Sequence, residues 1–145
     1  MAWSVEDMVE LGRRHADIEG ERKLDPLMET LVENPSYEFH PLGLGMTGGD
    51  RVRRYYAQFF TSFMEQMTGY ELLNEWADEN AVVQEYDITL QVDGASPETH
   101  RVIGILFAEQ VDGGRKLLGG ERIYASERCI RLMAGELFEE FVPLS

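Results

Sequence analysis

Residues 117–135 read LLGGERIYASERCIRLMAG, and this stretch decides the fold. A glycine turn at Asp112–Gly114 precedes it, so the segment is the second arm of a β-hairpin, with alternation through Leu118, Arg122 and Tyr124. The alternation stops at Ser126, a good helix N-cap. Glu127 then places an anion where a helix N-terminus favours one, so the strand is expected to run directly into a closing helix.

Upstream, the pattern continues as a sheet. Strands are expected over Tyr70–Ala77, Ala81–Val92, His100–Gln110 and Arg115–Ala125, separated by turn-forming Asp, Asn, Gly and Pro residues. The first half is helical instead. Ser4 and Asp7 form a capping-box-like start to a helix ending near Gly20, with Val5, Met8, Val9 and Ile18 as a partial apolar stripe. A second helix is expected from the Asp25 cap and Pro26 up to Asn34–Pro35, then a short strand over Ser36–His40 that Pro41 breaks. The strongest stripe runs through Val52, Tyr55, Tyr56, Phe59, Phe60, Phe63 and Met67, a third helix ending at Gly69. Helices gathered early and strands gathered late imply a single α+β domain over residues 1–145.

The closing segment resembles the SnoaL-like branch of the NTF2-like superfamily, whose last strand and helix commonly read G-E-R-x-Y-x-D and then L-L-R-Q-L-G. Gly120, Glu121, Arg122, Tyr124, Ile130 and Gly135 fall in register with it, and Ser126 stands where the family usually has Asp. KLDPLMETLVENPSYEFHPLG and TGGDRVRRYYAQFF are similar to two further family stretches, in the right order. The resemblance implies a cystatin-like cone: N-terminal helices packed in a strongly bent antiparallel sheet, with a pocket between them. It also implies a homodimer, and, for cyclases of this type, an acid/base aspartate near the strand-to-helix junction. A serine there cannot act unaided as a base at neutral pH, so it is expected to be a cap only.

Twenty-seven acidic residues face thirteen basic ones, a formal charge of −14 that repels phosphate backbones and anionic membrane surfaces. Nucleic acid and membrane are therefore not expected partners. No run approaches the roughly 20 apolar residues of a membrane span, and the acidic N-terminus lacks secretory character, so a cytoplasmic protein is expected. No motif for a nucleotide or metal occurs, so neither cofactor nor metal is expected. Cys129 alone makes no disulfide and reads as core filler.

Four side chains are candidates for proton chemistry. Glu121 lies mid-strand under the closing helix and carries the resemblance; His40 ends the first strand; Glu85 and Asp87 share one face of the longest strand. The face opposite that pair carries Val82, Tyr86, Ile88, Leu90 and Val92, so parity assigns the pair to solvent or a partner unless a bulge intervenes. His15 reads as part of a charged helix face, and His100 as a loop-to-strand boundary residue. Tyr37, Tyr56, Phe59, Trp76 and Phe107 are expected to line the pocket. The functional expectation is a protein that binds a small hydrophobic molecule, acting as a cofactor-independent isomerase, cyclase, dehydratase or epoxide hydrolase. The alternative is a non-catalytic ligand-binding or assembly module on the same scaffold.

Overall fold

The structure, a computed structural model, describes residues 2–145. Ser4 opens helix α1 (Val5–Gly20) with a complete capping box: its hydroxyl accepts the Asp7 N–H, and the Asp7 carboxylate accepts the Ser4 N–H. Helix α2 (Leu24–Met28) follows, then strand β1 (Leu31–His40), a short strand β2 (Leu44–Thr47) and helix α3 (Gly49–Gln58). After α3 the chain makes a π-helical turn at Phe59–Phe63 and a 3-10 turn at Met64–Gln66. Strands β3 (Met67–Ala77), β4 (Ala81–Leu90), β5 (Glu98–Gln110) and β6 (Lys116–Tyr124) form the long meander. Helix α4 (Glu127–Ala134) and a short edge strand β7 (Val142–Pro143) end the chain.

The sheet is a curved, unclosed α+β layer in the order β3-β4-β5-β6-β1-β2-β7. All neighbours are antiparallel except β1 and β6, which run parallel with Tyr37 beside Glu121. That pairing corrects one expectation. The second helix does not reach Asn34–Pro35, because the chain enters β1 at Leu31, which pairs with Leu118 and gains long-range ladder bonds that a short isolated helix lacks. Its N-cap position falls to Lys23, leaving Asp25 inside the first turn. The third helix also ends early. Its π-helical turn buries Phe59, Phe60 and Phe63 together, and β3 has begun by Met67.

Parity along β4 is strict: Val82, Gln84, Ile88 and Leu90 are buried, with Tyr86 among them half-buried, while Val83, Glu85, Asp87 and Thr89 face out. On β3 a bulge between Leu72 and Asn74 shifts the phase. Tyr70 and Leu72 therefore lie inward before it and Glu75 after it, and Trp76 turns outward beside Val83. Ser126 caps α4 as expected, accepting the Cys129 N–H, and it also bonds to His100 Nδ1.

Candidate functional site

Helix α1, the π-helical turn and the inner faces of β3 to β6 enclose a cavity of about 530 Å³. Phe59, Phe63, Met67, Leu72, Ile88 and Leu106 supply apolar wall. Polar groups converge at one end, delivered by three elements. Helix α1 presents His15 and Glu19, one turn apart on one face; α3 presents Tyr56; β6 presents Glu121, flanked across the sheet by Leu106 and Tyr37.

Their hydrogen bonds fix most of the protons. The Thr30 hydroxyl donates to the Leu27 carbonyl at 2.7 Å, so it accepts from His15 Nδ1–H, also at 2.7 Å. That bond sets the histidine tautomer and aims Nε2 at the carboxylates, 3.3 Å from Glu121 Oε2 and 3.6 Å from Glu19 Oε2. The Tyr56 hydroxyl donates to Glu121 Oε2 at 2.8 Å and accepts from the Tyr37 hydroxyl at 2.6 Å. Nε2 and two carboxylates would repel one another without a positive centre among them. A proton on Glu19, the carboxyl that burial and the charge of Glu121 raise, relieves that repulsion.

The two glutamates respond differently to this crowding. Burial works to raise Glu121, but the bond and charge of His15 and the tyrosine hydroxyls outweigh it and hold this carboxyl below its ordinary range. For Glu19, burial and then the charge of Glu121 dominate, and its pKa is pushed up to about 7. Glu121 is thus the fixed anion and Glu19 the group that titrates near neutrality. Burial, followed by the charge of Glu121, raises Tyr37 and Tyr56 well above the normal phenol range, so both stay hydroxyl donors. Among the described residues, the ligand-type atoms of His15, Glu19 and Glu121 lie within 4.8 Å of one another and are the grouping that could hold an ion.

Solved structures share this architecture. An NTF2-like protein from Anabaena variabilis superimposes with a TM-score of 0.62 at 18% identity, over 83% of this chain and 90% of that one. The fold is NTF2-like. A protein provisionally assigned as a ketosteroid isomerase from Kribbella flavida shares this NTF2-like fold at a TM-score of 0.61 and 21% identity, over 85% of this chain and 80% of that one. A ketosteroid isomerase-like protein from Erwinia carotovora matches at 0.58 and 8% identity, over 83% and 95% of the two chains. No family model matches the sequence, and no curated protein matches it.

Within this NTF2-like cone the expected residues separate. Glu121 and Phe59 line the cavity, whereas Tyr37 and Tyr56 are fully buried behind it and reach it only through their hydroxyl chain to Glu121. Glu85 and Asp87 do not: both lie on the outer face and bond to Arg101, as the strand's parity implied. His40 also lies outside, bonded to Glu38 at 2.9 Å and stacked on Tyr124, because Tyr37 and Phe39 take the inner positions of β1. Trp76 stands on the outer face, 55% exposed, since the β3 bulge reverses its parity. Phe107 lies there too, opposite Ala81, with the Arg122 guanidinium 4.8 Å over its ring.

His15 and Glu19 are the residues that sequence reasoning missed. His15 is buried at 1% exposure, not part of a charged surface. Its signal lay in spacing: it follows Met8 and Leu11 by seven and four residues, and both are buried, so all three share one face.

Proposed function

We propose that this chain is a SnoaL-like protein that binds a small hydrophobic molecule in its cone and moves a proton on it, using its own acid and base groups. The convergence of His15, Glu19, Glu121 and Tyr56 at one end of an open apolar cavity carries this reading. In the reaction, Glu19 is the proton carrier, since it changes state near neutral pH and faces the cavity with 29% of its side chain exposed. Glu121 stays anionic and, with His15, sets the field at Glu19; Tyr56 holds Glu121 in place. Isomerisation, or another reaction that exchanges a proton next to a carbonyl, needs no more than this. The G-E-R-x-Y ending supports the SnoaL-like assignment, and the isomerase names among the structural neighbours support the reaction type.

A hydrogen–deuterium exchange assay tests this without knowledge of the natural substrate. Hydrophobic cyclic ketones are incubated in D2O with the protein, and loss of the proton signal next to the carbonyl is followed by NMR. Exchange accelerated by the protein and lost in Glu19→Gln is expected. Cavity binding without any exchange would favour the non-catalytic module.

The proposal includes a homodimer joined through the sheet. Trp76, Val83 and Ile105 lie side by side across β3, β4 and β5 on the outer face, next to the partly exposed Ile103 and Phe107. A second copy would cover this apolar band.

A further inference from the structure

The charges around the cavity restrict what can enter it. Asp17, Glu19, Glu75 and Glu121 line it, against Arg13 and His15. Even with His15 protonated the lining is negative, and the chain as a whole carries −14. Low-dielectric walls strengthen that field, so a carboxylate or phosphate on the ligand would meet repulsion with no free cation among the described lining residues to offset it. Arg13 is not free: its guanidinium is bonded to Glu75 at 3.1 Å, and its side chain is 67% exposed. Glu75 is further satisfied by the Gln84 amide at 3.0 Å.

Glu19 differs from the other carboxylates that line the cavity, since Asp17 is exposed to water while Glu75 and Glu121 have protein donors. Glu121 accepts from Tyr56, and Glu75 from Arg13 and Gln84, whereas His15 Nε2 stands 3.6 Å from Glu19 and the neighbouring Tyr56 hydroxyl is committed to Glu121. Elsewhere in the protein, His40–Glu38 and His100–Glu98 close to 2.9 and 2.8 Å, which is full bonding distance. Among the described residues, Glu19 thus offers the cavity a carboxylate on which no full-length hydrogen bond closes. Tyr70 and Tyr86 line the same cavity with ring centroids 5.3 Å apart, and aromatic rings also attract cations.

We propose that the ligand is a hydrophobic amine, bound as its ammonium ion with N–H directed at Glu19 and its apolar body among Phe59, Phe63, Met67 and Ile88. This rests on the cavity being the ligand site, and it names the chemical class that site selects. The ammonium supplies the donor that Glu19 lacks and neutralises part of the acidic excess.

A matched series provides the test: 1-naphthylmethylamine, 1-naphthalenemethanol and 1-naphthaleneacetic acid, titrated calorimetrically into the full-length protein at about pH 8. The amine is expected to bind at least about tenfold more tightly than the alcohol, and the acid not measurably. Glu19→Gln should abolish the amine's advantage while leaving the alcohol within about twofold, whereas Glu19→Asp should keep most of it. Amine affinity should also fall as pH drops through about 7 and Glu19 takes up its proton. His15 on α1, Tyr56 on α3, Glu121 on β6 and the Arg13–Glu75 pair face the same space, so the Gln variant must flatten this profile for Glu19 to be its source. Equal binding of amine and alcohol, or an advantage that survives Glu19→Gln, overturns the proposal while leaving the proton-transfer reading standing. Failure of the whole series to bind would also overturn the amine proposal, while the ketone exchange assay decides the proton-transfer reading separately.

Discussion

The Tyr56 hydroxyl donates to Oε2 of Glu121 across 2.8 Å, tying α3 to the strand that carries the fixed anion of the site. The bond has an electrostatic consequence one residue further on. By helping to keep Glu121 ionised, it leaves Glu19 to face a neighbouring negative charge from within a buried site. The asymmetry between two carboxyls is what a proton-transfer site requires, and here it comes from His15 and the tyrosine hydroxyls together outweighing burial at Glu121 but not at Glu19.

Stability should respond to Glu19 in a defined direction. Its ordinary value is 4.5 and its folded value about 7, so the folded state holds this proton more tightly. The contribution is fully present below about pH 4.5 and is lost as pH rises through about 7. Glu19→Gln should therefore be nearly neutral at about pH 5 and stabilise by on the order of 1–3 kcal/mol at about pH 8. Urea unfolding at both values measures this. Destabilisation at both would mean that Glu19 is a favourable partner of His15.

Glu121→Gln removes the charge that raises Glu19 and keeps an acceptor for Tyr56. The Glu19 carboxyl, followed by 13C NMR, should titrate lower than in the parent protein. Proton exchange on a bound ketone should fall at least about a hundredfold, the scale on which general acid/base groups act. An unchanged Glu19 titration would sever the proposed coupling.

Gly120 holds Glu121 in position from the adjacent residue. Its φ is +146°, and a Cβ built there would lie 1.7 Å from the Ser36 carbonyl oxygen of β1. Because that obstacle is backbone in a paired strand, Gly120→Ala should cost more than about 4 kcal/mol or prevent folding. Gly119→Ala is the control. The nearest atoms its Cβ would meet belong to the exposed Glu109 side chain, at 2.6 Å, which can swing aside, and not to backbone. Circular dichroism and thermal melts compare the two; similar melting temperatures would refute the role given to Gly120.

If the outer sheet face joins two copies, light scattering at micromolar protein should give twice the 16.6 kDa chain mass. Trp76→Glu, at a position already 55% exposed in the single chain, should shift that mass to the monomer without unfolding it. A monomer in the parent protein would end the dimer proposal.

The closing hairpin, the Ser126 cap, the meander and the dominant apolar stripe of α3 were legible because local periodicity and capping chemistry determine them. Glu121 was legible as a candidate from the same segment, and the outward placement of Glu85 and Asp87 followed from simple alternation. Three features required the tertiary structure. The early start of β1 depends on parallel pairing with β6, some eighty residues away in sequence, which overrides the local helical spacing of 27–32. Trp76 changes face because a bulge inserts one residue into β3, and period-two reasoning has no means of detecting it. The pairing of His15 and Glu19 with Glu121 brings α1 against β6 across the cone. Sequence determined that α1 carries a histidine and a glutamate one turn apart. Only the packing that buries their shared face brought them against Glu121 and raised Glu19, because the field that moves a proton depends on distances in space and on the exclusion of water.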